Sequence, residues 1–340
     1  MSRAERRGII TSMLAIEVKN LTKEFNDLKA VDGISFQVQE GEIFGLLGPN
    51  GAGKTTTIKM LTTLLKPTGG EARVWGYDVL REKDKVRNSV GIVFQEPALD
   101  NRLTGYENLD FHARLYGLTK EIREKRIKEV LNLVELRDKA KVLVKDYSGG
   151  MQRRLEIARG LMHYPKVLFL DEPTLGLDIQ TRRHIWDYIL KLNEKEKTTI
   201  ILTTHYMEEA DYLCQRIAII DFGKIIALDN PQNLKNILGG DVISIEAAPP
   251  EKALNVFRNL IWIKKISQHN GVIDLNVVQG EKKIPLLIKI DQKEAGFTIK
   301  SVNLRKPTLE DVFLHFTGKT IREVEAGQAE RNMMKQRFNR

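Results

Sequence analysis

The segment Gly48-Pro49-Asn50-Gly51-Ala52-Gly53-Lys54-Thr55 has the Gly-x-x-x-x-Gly-Lys-Thr spacing of a phosphate-cradling loop. It follows the apolar run Ile43–Leu47 and precedes a helical run to Leu65, the strand–loop–helix context such a loop needs. Glycines let backbone N–H groups converge on phosphate oxygens with no Cβ in the way, and the helix start adds partial positive charge. In that geometry Lys54 reaches the β- and γ-phosphates of a nucleoside triphosphate and the Thr55 hydroxyl ligates Mg²⁺, with Thr56 beside them. Further on, Val167-Leu168-Phe169-Leu170 reads as a buried strand ending in two carboxylates. Asp171 is placed for the Mg²⁺ shell, and Glu172 for polarising a water in line with the γ-phosphate. Ser148-Gly149-Gly150 opens another helical stretch, to about His163. Serine is a good N-cap, and two glycines leave amides bare at a positive helix end, which makes a second anion site. One chain with both features can close a γ-phosphate between two copies of itself.

These groups need a scaffold, and its pattern is visible. From Ala15 to Asp229 short apolar runs alternate with helical stretches, which argues α/β with a largely parallel sheet. Strands are expected at Ile43–Leu47, Gly91–Phe94, Val167–Leu170, Thr199–Thr203 and Arg216–Ile220. A helix-rich insertion spans about 100–160. In it Thr104-Gly105-Tyr106-Glu107 has capping-box spacing and opens a helix to about Tyr116, and Lys120–Val134 supplies another. Gly239-Gly240 marks a boundary. Beyond it come a strand at Val242–Glu246, a helix opened by Pro249-Pro250, and two runs, Ile261–Ser267 and Val272–Val278, flanking the hairpin signal His269-Asn270-Gly271. A helix with Pro285 near its start and Gly296 past its end leads to a strand at Phe297–Leu304, completing a βαββαβ order. A last helix runs from Pro307 to about Phe316. The expected layout is a basic leader 1–13, a nucleotide domain 14–239, a small α+β domain 240–318 and a charged tail 319–340.

Composition narrows the classes. The 340 residues are 42% hydrophobic and 29% charged, as in an ordinary globular protein and unlike a disordered or collagen-like chain. No run approaches the ~20 apolar residues of a membrane helix. A single cysteine, Cys214, excludes an internal disulfide, and six histidines show no metal-ligand spacing. The first dozen residues hold Arg3, Arg6 and Arg7 without a hydrophobic stretch, so no secretory signal is read and a cytoplasmic location is expected; Met1 and Met13 both remain open as starts. The net charge of +9 suits an anionic partner, whether nucleotide, nucleic acid or membrane surface, and selects none of them.

Over about Leu14 to Leu238 this ordered set resembles the ABC-type ATPases, P-loop proteins that power membrane transporters. The resemblance implies roles for further residues. Phe25 would stack on adenine, Gln95 would sense Mg²⁺ and the attacking water, Gly176-Leu177-Asp178 would contact the opposite subunit, and His205 would touch the γ-phosphate. The family's Leu-Ser-Gly-Gly-Gln signature is altered here, with Tyr147 for leucine and Met151 for glutamine. Those flanks, and Pro307-Thr308-Leu309-Glu310-Asp311-Val312-Phe313 followed by Thr317-Gly318, are similar to the daunorubicin-resistance subgroup.

The resemblance implies an ATP- and Mg²⁺-dependent ATPase acting as a homodimer, two ATP sandwiched at its interface, on the cytoplasmic face of the cell membrane beneath a separate integral-membrane permease. Export of a hydrophobic drug or lipid-like compound is the expected task. An importer ATPase whose C-terminal domain senses a ligand is the alternative. A soluble relative acting on ribosomes or nucleic acid is less favoured, since only one cassette is present and no long coiled coil separates Thr55 from Ser148; no nucleic-acid partner is expected.

Overall fold

The computed structural model describes residues 14–26, 28–269, 271–293 and 296–318. The basic leader 1–13 with Met13, Asn270 of the hairpin turn and the charged tail 319–340 lie outside these residues. The chain forms two units, one ending at Leu228 and one starting at Asp229. This division falls ahead of Gly239-Gly240 because a short helix at Pro231–Asn236 packs with the last helix, Leu309–Thr317.

In chain order the first unit runs β1 (Leu14–Phe25), β2 (Leu28–Gln39), β3 (Ile43–Leu47), α1 (Lys54–Leu61), β4 (Gly69–Val74), β5 (Tyr77–Asp78), α2 (Lys83–Ser89) and β6 (Val90–Val93). The helical insertion follows, with α3 (Gly105–Leu115), α4 (Lys120–Leu133) and α5 (Gly149–Gly160). Then come β7 (Val167–Asp171), α6 (Ile179–Glu196), β8 (Thr199–Thr204), α7 (Met207–Leu213), β9 (Arg216–Asp221) and β10 (Lys224–Asp229).

Six strands form the central sheet in the order β10-β9-β3-β8-β7-β6. The pairs β9–β3, β3–β8, β8–β7 and β7–β6 are parallel. Every residue of β3 and β7 is buried, as expected where helices or a second layer cover both faces. A second, four-stranded antiparallel sheet, β2-β1-β4-β5, was not anticipated from the apolar runs. Its signal is the alternation of buried Ile34, Phe36 and Val38 with polar neighbours, which marks a half-buried strand. The two sheets share a core in which Phe36 stacks on Phe44 at 5.2 Å between ring centroids. Cys214 is buried in this unit, and burial pushes its thiol well above the usual range.

The insertion forms as its sequence suggests. Thr104 caps α3 through a complete capping box with Glu107. Tyr147 is buried and its hydroxyl donates to Lys139 O at 2.8 Å, which fastens the residue before Ser148 to the insertion. α5 lies so close to β6 that a Cβ on Gly91 would stand 2.2 Å from Gly160 O, which restricts position 91 to glycine.

The second unit contains α8 (Pro231–Asn236), β11 (Asp241–Ala248), α9 (Pro250–Phe257), β12 (Ile263–His269), β13 (Val272–Val277), α10 (Gly280–Lys293), β14 (Thr298–Arg305) and α11 (Leu309–Thr317). From β11 to β14 the order is βαββαβ, and the strands form an antiparallel sheet, β12-β13-β11-β14. Pro285 lies inside α10 instead of near its start; the helix begins earlier, at Gly280, and gives up one backbone bond at the proline. A capping box also starts α11, between Thr308 and Asp311. The Asp311 carboxylate holds Arg305, whose Nη2 also donates to the buried Asp274 at 3.1 Å. One carboxylate thus serves both the cap and the sheet.

Burial raises the Asp311 carboxyl, but the Arg305 hydrogen bond and the Thr308 N–H outweigh it and hold it below the usual carboxylate range. Its stabilisation is therefore full above the unfolded-state value and lost as pH falls through the folded one. Asp311→Asn should speed amide hydrogen exchange across α11 and β14 by roughly 5- to 30-fold at neutral pH, about 1–2 kcal/mol. The gap should close in acid.

Candidate active site

The carboxyl ends of four adjacent strands deliver the sequence-derived residues to one edge, the usual ligand side of an open α/β sheet. β3 leads into Gly48, β8 into His205, β7 ends in Asp171 before Glu172, and β6 is followed by Phe94 and Gln95. Register keeps these ends level, with Leu47 opposite Thr204 and Asp171 opposite Thr203. A cavity of about 190 Å³ opens there, lined by Asn50, Gly51, Gly53, Lys54, Thr55, Thr56, Gln95 and Glu172, with Ala30 from β2. Gly53 has φ +105°, and a Cβ there would stand 2.4 Å from Ala30 O, so backbone conformation and space both require glycine.

Lys54 folds back over the loop. Its Nζ donates to Gly48 O at 2.7 Å and Pro49 O at 3.1 Å, and pairs with Glu172 Oε1 at 3.2 Å. His205 Nδ1 donates to Glu172 Oε2 at 2.9 Å; an ionised carboxylate has no proton to give, so the ring nitrogen carries it. Burial raises the Glu172 carboxyl, but the His205 hydrogen bond and the Lys54 charge outweigh it and keep it below the usual range. Glu172 is therefore ionised at neutral pH. Its Oε1 is buried and has the Lys54 ammonium as its partner, without the geometry of a directed hydrogen bond.

Glu172 also has φ +49°, a costly conformation for a residue with a Cβ. Its N–H is held by Thr203 Oγ1 at 3.0 Å. Thr203 in turn donates to Asp171 Oδ1, which also accepts from Thr55 Oγ1 at 3.0 Å. Asp171 and Thr55 thus present oxygen donors side by side.

The remaining expected residues lie apart from this cavity. Ser148 caps α5 by accepting the Met151 N–H at 3.3 Å. With Gly150 and Met151 it lines a separate cavity of about 360 Å³, which shares no lining residue with the first. Asp178 caps α6 through the Thr181 N–H at 2.9 Å. Ala52 is buried in the loop, and its carbonyl accepts the Gly223 N–H. Phe25, 44% exposed at the end of β1, has Lys23 Nζ 4.8 Å from its ring centroid and does not line the cavity. One chain therefore presents two separate cavities.

Sequence reasoning passed over Thr203, Arg153 and Glu209. Glu209 is fully buried and accepts from Thr174 Oγ1 at 2.7 Å and Trp186 Nε1 at 2.8 Å, tying the turn after Glu172 to α6. Burial raises its carboxyl. Nothing in its local spacing advertises this position, since the partners come from distant segments.

A family model described as ABC transporter matches residues 31–175. The linearmycin resistance ATP-binding protein LnrL of Bacillus subtilis is 40% identical over 312 residues, covering 91% of this chain and 100% of that protein. The daunorubicin/doxorubicin resistance ATP-binding protein DrrA of Streptomyces peucetius is 38% identical over 315 residues, 89% of this chain and 92% of that one. The chain belongs to the ABC transporter ATP-binding proteins. Among solved structures, the ATP-binding cassette MJ0796, a dimer in a post-hydrolysis state bound to ADP and Pi, matches with TM-score 0.57 and 30% identity over 63% of this chain and 98% of that one. CbiO1 from Clostridium perfringens, part of an ABC transporter complex, gives TM-score 0.62 and 27% identity over 73% and 96%.

As an ABC ATPase the chain binds and hydrolyses ATP, and the P-loop fold expected from its sequence is the one it shares with these cassettes. No helix among the described residues is long and apolar enough to cross a membrane. The donor set fits Mg²⁺: the adjacent Thr55 hydroxyl and Asp171 carboxylate are hard oxygens, and an ion that keeps its waters and phosphate ligands needs few more.

Glu172 holds the Lys54 ammonium, so a phosphate entering the loop would compete with it for one lysine. Glu172→Gln removes the competing charge and should tighten ATP binding by roughly tenfold, about 1.4 kcal/mol, for release of the lysine from its ion pair. Isothermal titration without turnover measures it, and unchanged or weaker binding would contradict the competition.

Proposed function

We propose that this chain is the ATP-hydrolysing subunit of an exporter that moves a hydrophobic drug or lipid-like compound through a separate integral-membrane permease. The observation that carries the export reading is full-length likeness to two resistance proteins, which extends through the second unit as well as the cassette. The chain works as a head-to-tail homodimer at the cytoplasmic face of the membrane. Two separate cavities, one at the Lys54 loop and one at Ser148–Gly150, suit that arrangement, because each supplies half of what a sandwiched triphosphate needs.

In this reading the loop Gly48–Thr56 wraps the phosphates, Phe25 stacks on adenine, and Lys54 leaves Glu172 for the γ-phosphate. Thr55, Asp171 and Gln95 would hold Mg²⁺, which would supply positive charge beside the phosphate oxygens. Glu172, released from Lys54 and kept ionised, polarises the attacking water while His205 steadies the terminal phosphate. Ser148, Gly149 and Gly150 of the second chain close the site, and Asp178 lies at the contact between subunits. Gln95 and the α3 region meet the permease. The second unit serves dimerisation or regulation.

Two measurements test this. Glu172→Gln should lower turnover by about a thousandfold, about 4 kcal/mol of barrier, and elute as a dimer with ATP–Mg²⁺; a strictly monomeric elution would sink the sandwich. Gentle purification from native membranes should recover a multi-span permease in near-equal amount. Recovery with ribosomal proteins or nucleic acid instead would overturn the transport assignment and leave the ATPase.

A further inference from the structure

Arg153 lies on α5, just past the Ser148 cap, and is 7% exposed. A guanidinium offers five N–H donors in a rigid planar fork. Here every one is used. Nε donates to Pro173 O at 2.7 Å, and Nη2 to Asp171 O at 3.0 Å and Glu172 O at 3.2 Å. Nη1 donates to Phe94 O at 2.6 Å and Glu156 Oε2 at 2.9 Å. Three of these acceptors are consecutive carbonyls around Glu172, the residue strained at φ +49°. A fourth belongs to the residue before Gln95. Glu156, 2% exposed, takes the Ala98 N–H on its other oxygen at 2.7 Å, and Arg159 Nη1 donates to Ala98 O at 2.7 Å. Both ends of segment 94–98 are therefore fastened to α5.

We propose that Arg153 is a positioning residue for hydrolysis: it clamps the strained turn that aims Glu172 and joins that turn to Gln95 and to the helix beginning at Ser148. The proposal rests on the reading of Glu172 as the carboxylate that acts on water. A left-handed glutamate persists only where its surroundings over-determine it, and the clamp supplies that constraint by holding the carbonyls on both sides. An apolar side chain at position 153 would fill space but withdraw a donor from each of these carbonyls, leaving Glu172 O with the Leu175 N–H at 3.2 Å. A lysine would offer three donors from a point and could not span both Nη groups' partners. Because α5 starts at Ser148, a displacement of that helix start reaches the Glu172 turn through one rigid side chain. Arg153 touches neither phosphate nor water in this scheme, so its effect belongs to turnover and not to nucleotide affinity.

The test is a double-mutant cycle on the full chain, read by single-turnover hydrolysis of γ-labelled ATP and by fluorescent-nucleotide binding. Arg153→Lys should reduce the rate by ~30- to 100-fold, the scale of a small misplacement of a reacting group, with ATP affinity within about twofold. In the Glu172→Gln background the same change should cost less than about twofold, since the group it positions is already gone. Should Arg153→Lys fail to fold, Glu156→Gln replaces it in the cycle; it weakens the clamp without removing the fork and should cost ~3- to 10-fold in the Glu172 background only. Equal losses in both backgrounds, or affinity falling in step with the rate, would overturn the clamp. Near-normal hydrolysis by Glu172→Gln alone would instead overturn the reading of Glu172, and the clamp with it.

Discussion

Lys54 Nζ and Glu172 Oε1 stand 3.2 Å apart with both side chains about 5% exposed. Two charges withdrawn from water at that depth are costly, and their attraction offsets the cost only when geometry is good and remaining atoms are satisfied. The parallel sheet meets part of that demand, although Glu172 Oε1 has the lysine as an ion-pair partner and no directed hydrogen bond. It sets the strand before Lys54 and the strand before Glu172 on either side of β8, so that His205 arrives between them and takes the second carboxylate oxygen. Hydrogen bonds donated to the loop carbonyls complete the lysine. The pair thus sets one cation and one carboxylate together at the sheet edge, the cation held by the loop and the carboxylate by the end of β8.

Around that pair the structure uses backbone carbonyls and side-chain oxygens sparingly. Thr203 serves Asp171 through its hydroxyl and Glu172 through its oxygen, and Glu209 joins the turn after Glu172 to α6. Thr203 comes from β8, Asp171 from β7 and Glu209 from α7. The residues on either side of Glu172 are consequently tied by hydrogen bonds to β8, to α6 and to α7.

Much of this was legible in the order of residues. The loop before Lys54 and the apolar strand before Asp171 are contiguous, so spacing and flanks suffice to read them. Thr104 with Glu107 announces a helix because a cap is a local interaction. Phe25, Gln95, Asp178 and His205 carry no local signature and entered through family resemblance alone. The antiparallel sheet was missed although Ile34, Phe36 and Val38 alternate plainly, because attention to continuous apolar runs favours strands buried on both faces. Arg153 and Glu209 were out of reach for another reason: their meaning lies in acceptors and donors from segments far away in sequence. Pro285 misled as a helix-start signal because α10 tolerates it within its own span.

Cys214, the single thiol in the sequence, is buried and pushed away from its reactive anionic form. A protonated, enclosed sulfur is a poor nucleophile and an inaccessible one. Cys214 is therefore a packing group of the core and offers no thiolate for exchange with glutathione or a neighbouring disulfide.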